Sequence, residues 1–228
     1  MKKVAIHQPN FIPWLGYFYK MHQCDTFIIL DDVQESNSHS YFYQAFIKNT
    51  TGSSLTISIP RKSHSQNTCI KDVQFADNYK AWLKKFSKTL QFLYKKAPFF
   101  ENHYENILKV MQKDYSLVYE MNVELIKYCA KCLNINCEII LASTLHSEEQ
   151  KEGRILDLVK KVNGDCYISG KGAKNYQTEE NFSKNNIQLK YSDFSIKSYP
   201  QVHGNFVGGL SVIDFLFNTN AESENEIW

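Results

Sequence analysis

Val4-Ala-Ile-His7-Gln8-Pro9-Asn10-Phe-Ile-Pro13-Trp14-Leu-Gly16-Tyr17, followed by Asp25-Thr-Phe-Ile-Ile-Leu30-Asp31-Asp32-Val-Gln34, reads as strand, polar loop, helix and strand. Two short apolar runs joined by a segment long enough for a crossover helix predict parallel neighbours in a buried sheet. His7 and the Asp31/Asp32 pair then leave the carboxyl ends of those strands. In open α/β sheets ligands bind at that edge, because the loops diverge there into a crevice lined by helix N-termini. His7, Gln8, Asn10, Asp31, Asp32 and Gln34 are therefore the first candidate site.

The same rhythm resumes beyond residue 134, with strands expected over 137–142, 166–169 and 187–191 and helices over 149–162, 178–185 and 210–218. Between the two α/β stretches lie two extended segments, 41–48 and 55–60, around the Gly52 turn, which predict a hairpin. A brief strand is expected over 70–75, and Asp77 is placed to cap a helix with Trp82, Leu83, Phe86, Leu90 and Leu93 on its apolar side. Lys84, Lys85, Lys88, Lys95 and Lys96 fall on the solvated side of that helix. A second helix carries Ile107, Leu108 and Met111, and a third spans 116–133. The expected fold is a single α/β domain over 1–228, a mostly parallel Rossmann-like sheet flanked by helices. It carries a helical insertion over 77–133, one hairpin, and a polar tail over 219–228.

Composition narrows the functional classes. The 228 residues suffice to bury a full core. Lys plus Arg exceed Asp plus Glu by only two, so binding to a nucleic-acid duplex is not expected. No apolar run is long enough to span a bilayer, and Met1-Lys2-Lys3 runs directly into a strand without a signal-peptide core, so a cytoplasmic protein is expected. The six cysteines are irregularly spaced and expected as free thiols, Cys129 and Cys132 lying on one helical face. With no H-E-x-x-H and no paired C-x-x-C, a catalytic metal is not expected. Aromatic residues at 14% favour core and interface packing, including contacts of a homodimer.

Three clusters carry the candidate chemistry. In the first, Pro9 and Pro13 fix φ and bias Gln8 and Ile12 towards extended backbone, holding Asn10 in a defined place while Trp14 opens the helix. Structurally, His7 would tie its strand to Asp31 or Asp32; functionally, the same pairing would orient a base. The second cluster, Ser169-Gly170-Lys171-Gly172-Ala173-Lys174-Asn175-Tyr176, sets two glycines about a lysine, a means of bringing backbone close to an anion, although a tight turn would use the same residues. The third, Tyr199-Pro200-Gln201-Val202-His203-Gly204-Asn205-Phe206, has no helical or strand period; His203 is either an acid/base partner for His7 or a loop cap. Asp214, inside the apolar last helix, either meets this cluster or faces water.

The pieces Ile6-His7-Gln8-Pro9-Asn10, Pro13-Trp14-Leu15-Gly16-Tyr17-Phe18, Leu30-Asp31-Asp32-Val33-Gln34, Ser169-Gly170-Lys171-Gly172-Ala173 with Tyr176, and Tyr199-Pro200-Gln201-Val202-His203-Gly204 followed by 210–218 resemble the WbqC-like protein family of bacterial polysaccharide gene clusters. That resemblance implies a role in O-antigen, lipopolysaccharide or related surface-polysaccharide synthesis, with a transferase that adds glycine to an amino sugar. Where the family often carries an arginine after its Asp-Asp-x-Gln, this chain reads Glu35-Ser36-Asn37 and Gln44-Ala45-Phe46-Ile47-Lys48, which points to a different acceptor.

The resulting expectation is an aminoacyl- or acyltransferase acting on a dTDP- or UDP-linked amino sugar, with an amino-acid or acyl donor. His7 would be the base, oriented by Asp31 or Asp32. Asn10, Gln34 and His203 would hydrogen-bond the intermediate and sugar, and Gly170, Lys171 and Gly172 would hold the diphosphate, with Gln8, Trp14, Tyr176 and Gln201 completing the pocket. Two alternatives stand beside it. The strand, His-x-Pro loop and helix are similar to the opening of nucleotidylyltransferases, which implies an adenylate-forming enzyme using ATP, although their H-x-G-H is missing. The other alternative is a non-catalytic scaffold that binds a nucleotide sugar.

Overall fold

A computed structural model of the chain describes residues 1–35, 40–65, 67–173 and 177–220. Its contacts gather into two compact units, each assembled from discontinuous segments: Met1–Gln8, Gly16–Asp32 and Ile135–Ser195 in one, Pro9–Leu15, Val33–Asn134 and Ile196–Trp228 in the other.

The first unit is built on β1 (Lys3–His7), β2 (Thr26–Ile29), β5 (Glu138–Leu141), β6 (Cys166–Ser169) and β7 (Gln188–Tyr191). They form one sheet in the order β5-β2-β1-β6-β7, and every pairing is parallel. Numbered among themselves the strands run 3-2-1-4-5, the Rossmann order. Residues alternate faces along a strand, which splits β1 cleanly. Val4 and Ile6 join Ile28 and Tyr167 in a core closed by Leu156 and Val159 of α5 (Lys151–Lys161) and Phe182 of α6 (Glu179–Lys184). On the other face α1 (Leu15–His22) sets Tyr17 against the ring of Phe27 at 5.2 Å and that of His7 at 4.7 Å. With helices over both faces, the strands read as the near-continuous apolar runs seen in the sequence.

The second unit holds the expected hairpin, β3 (Gln44–Lys48) with β4 (Ser54–Ser58), antiparallel from Gln44↔Ser58 to Lys48↔Ser54. It also holds α2 (Tyr79–Tyr94), α3 (Phe100–Met111), α4 (Val118–Cys132) and α7 (Val212–Asn218). Leu83, Phe86 and Leu90 of α2 are buried at the helical spacing read from the sequence, as are Ile107 and Met111 of α3.

Three local expectations are corrected. The stretch expected as a strand over 70–75 contains a single 3-10 turn, Ile70–Asp72, flanked by the isolated bridges Arg61↔Phe75 and Gln74↔Leu117. Apolar side chains at Ile70, Val73 and Phe75 do not keep a strict alternation, and among the described residues no strand pairs with this stretch. Asn78 rather than Asp77 takes the N-cap of α2, and its side chain makes no capping bond. Ile12, expected extended ahead of Pro13, has φ +33°. Hydrogen bonds outweigh that local preference: Phe11 N–H donates to Tyr41 O at 2.8 Å, Ser211 Oγ to Ile12 O at 2.6 Å and Val212 N–H to Pro13 O at 2.7 Å.

The tightest fit in the first unit is at Gly164, entering β6, where an added Cβ would stand 2.5 Å from Val4 Cγ2 and 2.8 Å from Val159 Cγ1. Gly164→Ala is expected to destabilise the chain by about 1–3 kcal/mol through overpacking. A urea titration showing an unchanged midpoint would contradict this packing.

Candidate functional site

All five parallel strands deliver polar residues to one carboxyl edge. The strand order reverses between β1 and β6, so the loops leaving these two strands run apart at that point, the position at which open α/β sheets bind ligands. His7 and Gln8 stand on one side of it, and Ser169, Gly170 and Lys171 on the other. A Cβ added at Gly170 or at Gly172 would meet nothing within 4 Å, so their backbone is open to approach. Lys171 pairs with Asp193 after β7, but both side chains are more than half exposed, which leaves the pair weak and its ammonium easily redirected.

The β2 and β5 side is organised differently. Asp31 is 1% exposed, and its carboxylate accepts the Ser143 N–H at 2.9 Å and the Ser143 hydroxyl at 2.5 Å. Asp32 accepts from Arg154 Nη2 at 2.6 Å, and the same guanidinium reaches Ser147 O at 3.3 Å. Both oxygens of Asp31 are thus taken by the turn after β5, and Oδ2 of Asp32 by α5. Neither partner was visible in sequence, because Ser143 and Arg154 lie more than a hundred residues away along the chain.

His7 is half-buried against Tyr17, whose hydroxyl donates to Gln8 O at 3.1 Å. Burial, reinforced by the charge of Lys20 and opposed by a hydrogen bond with the Gln8 backbone, lowers its pKa from 6.5 to about 3. Lys20, 6% exposed, donates to Ile6 O at 2.7 Å, and burial brings its own pKa down to about 8. The end of β1 therefore carries a neutral imidazole, while the lysine that lowers its pKa is buried against the preceding carbonyl. Lys20 escaped the sequence reading because a lysine in an amphipathic helix ordinarily points to water.

The remaining candidates belong to the second unit. Asn10 is buried, and the carbonyl of its neighbour Pro9 accepts from Asn122 Nδ2 at 2.9 Å. Trp14 forms an isolated bridge with Ser211 and lies 5.0 Å from the ring of Tyr41. Gln34 is exposed and bridges Cys69, while its neighbour Glu35 is buried and bonded to His64 Nε2 at 2.8 Å. Gln201 is a structural hub. Its amide donates to Asp214 Oδ1 at 2.8 Å and accepts from Lys48 Nζ at 3.1 Å; Tyr199 and Tyr94 add hydroxyls to Asp214 at 2.9 and 2.7 Å. Asp214 thus meets the third cluster. His203, at φ +65°, donates from Nε2 to Leu93 O at 2.6 Å, so the proton expected for acid/base work pins its loop to the end of α2. Tyr176 lies outside the described residues.

A five-stranded parallel sheet in Rossmann order, flanked by helices, defines an α/β protein. Residues 8–226 match the WbqC-like protein family, and the chain belongs to it. It is similar to "Uncharacterized protein Rv1507c" of Mycobacterium tuberculosis, 26% identical over 226 residues that cover 98% of this chain and 96% of that protein. No solved structure matches the chain.

The environment of His7 makes acid stability a test of the site. The folded chain releases the His7 proton down to about pH 3 while the unfolded chain binds it near 6.5. The His7 contribution is thus complete above pH 6.5 and falls away as pH drops towards 3, with a slope of at most about 1.4 kcal/mol per unit. In denaturant titrations between those limits, His7→Asn is expected to lose stability with acid less steeply than wild type. Parallel pH dependence of the two proteins would show that His7 titrates normally.

Proposed function

We propose that the chain is a transferase of bacterial surface-polysaccharide synthesis that attaches an aminoacyl group, glycyl first, or an acyl group to the amino group of a nucleotide-linked sugar. The observation that carries this reading is the strand-order switch between β1 and β6, with open glycines about Lys171 after β6 and a neutral histidine at the end of β1. The diphosphate would lie on the Gly170–Gly172 backbone and draw Lys171 away from Asp193. The sugar amine would face His7.

Amide formation requires an uncharged amine to attack the donor carbonyl, the amine proton to leave as the C–N bond forms, and the donor's leaving group to depart. A histidine with pKa about 3 is a poor base in the free protein. A bound diphosphate supplies the opposite charge that stabilises imidazolium, so the substrate itself would bring His7 into working range. Lys20, whose ammonium is bonded to Ile6 O and whose pKa is lowered to about 8, would take the proton on from there.

The test is a thermal-shift and turnover screen against dTDP- and UDP-linked amino sugars, glycine and ATP. One sugar nucleotide is expected to stabilise wild type, Lys171→Ala to weaken that stabilisation by about tenfold in affinity, and His7→Ala to abolish turnover while leaving the fold intact. The pH dependence of kcat is expected to show a group titrating well above 3, whereas a fully active His7→Ala protein would remove His7 as base. Stabilisation by ATP alone would point to adenylate chemistry, and binding without turnover to a nucleotide-sugar scaffold; either overturns the transferase.

A further inference from the structure

Between residues 79 and 96 the chain has six lysines and no acidic residue, although the whole protein is only +2 and the remainder therefore −4. Lys80, Lys84, Lys85, Lys88, Lys95 and Lys96 are all exposed, and among the described residues none enters an ion pair. Lys2, Lys62, Lys113, Lys127, Lys161, Lys171 and Lys184 elsewhere on the described chain each pair with a carboxylate, so this concentration departs from the habit of the rest of the surface. At 100° per residue the four lysines within α2, Lys80, Lys84, Lys85 and Lys88, fall on an arc of about 140°, and Lys95 and Lys96 follow directly on its last turn. Phe92 lies inside that arc, between the directions of Lys88 and Lys85, and is 70% exposed. The opposite side of α2, with Leu83, Phe86, Leu90 and Leu93, is buried.

Self-repulsion among six unpaired ammonium groups and the hydration of a bare aromatic ring both cost stability, and a partner that is anionic outside and apolar just beneath relieves both. We infer that the lysine face of α2 docks on an anionic lipid bilayer, the lysines lying among the phosphates and Phe92 entering the headgroup boundary. A solvated face explains the lysines but leaves the phenylalanine unexplained; a nucleic-acid duplex would satisfy the charge but keeps its bases stacked inside and offers no apolar layer for the ring. Binding of this kind needs no spanning segment, and no described helix is long and apolar enough to cross a membrane.

The experiment is vesicle co-sedimentation of the full chain with phosphatidylcholine alone and with equal parts phosphatidylcholine and phosphatidylglycerol, alongside a duplex RNA in a separate binding assay. Binding is expected only to the anionic vesicles and to weaken with salt. Lys85→Glu combined with Lys88→Glu should reduce it by about 25-fold or more, and Phe92→Ser by a severalfold factor that persists at high salt. All three changes are on the surface, so thermal melting of each variant checks the fold independently. No binding to anionic vesicles, binding that both variants leave unchanged, or variant-sensitive binding to RNA alone would each overturn the inference.

Discussion

Everything at the candidate site depends on the position of β1, which is hydrogen-bonded as a parallel neighbour on both sides and buried on both faces. A strand so enclosed can carry almost no polarity along its length. Between Lys3 and His7 at its two ends, Val4, Ala5 and Ile6 are buried, so polarity appears only where the strand begins and ends. The reversal of strand order between β1 and β6 then keeps the two loops from covering each other. A crevice follows from the topology rather than from any particular loop sequence.

The two flanks of that crevice contrast in rigidity. On the β2 and β5 side the carboxylates are buried or half-buried and already bonded, Asp31 to Ser143 and Asp32 to Arg154, so these groups are braces whose partners would be stranded by any movement. On the β6 and β7 side the charges are exposed, the glycines have room around them and the Lys171–Asp193 pair is cheap to rearrange. A ligand entering here meets one fixed wall and one adjustable wall. The neutral state of His7 belongs to the fixed wall, since the Tyr17 ring packs on it and Lys20 is tied to the preceding carbonyl, Ile6 O.

The sheet was legible because buried parallel strands leave a strong mark: short apolar runs spaced by amphipathic helices, each followed by polar residues at the carboxyl end. The helices of the middle third were legible by their period. What the sequence hid was pairing over long separations. Asp31 and Asp32 were noticed, but Ser143 and Arg154 were not, because nothing local distinguishes a serine or arginine that will meet a carboxylate a hundred residues earlier. Lys20 and Lys48 were hidden for the same reason, since lysine reads as surface until a buried carbonyl or amide claims it. His203 looked chemical because it sits beside glycine in an irregular loop, and the left-handed backbone that places it there also delivers its proton to Leu93 O. Ile12 shows the reverse case, a clear local rule overridden by three hydrogen bonds.

The most direct measurement is hydrogen–deuterium exchange of the full chain with and without the dTDP- or UDP-linked amino sugar that stabilises it best. A ligand in the crevice predicts slowed exchange in peptides covering residues 7–8 and 169–172, and little change over β2 and β5, whose edge is already braced. Protection confined to other segments, or none with any of these sugar nucleotides, would contradict a binding site at the β1 and β6 edge.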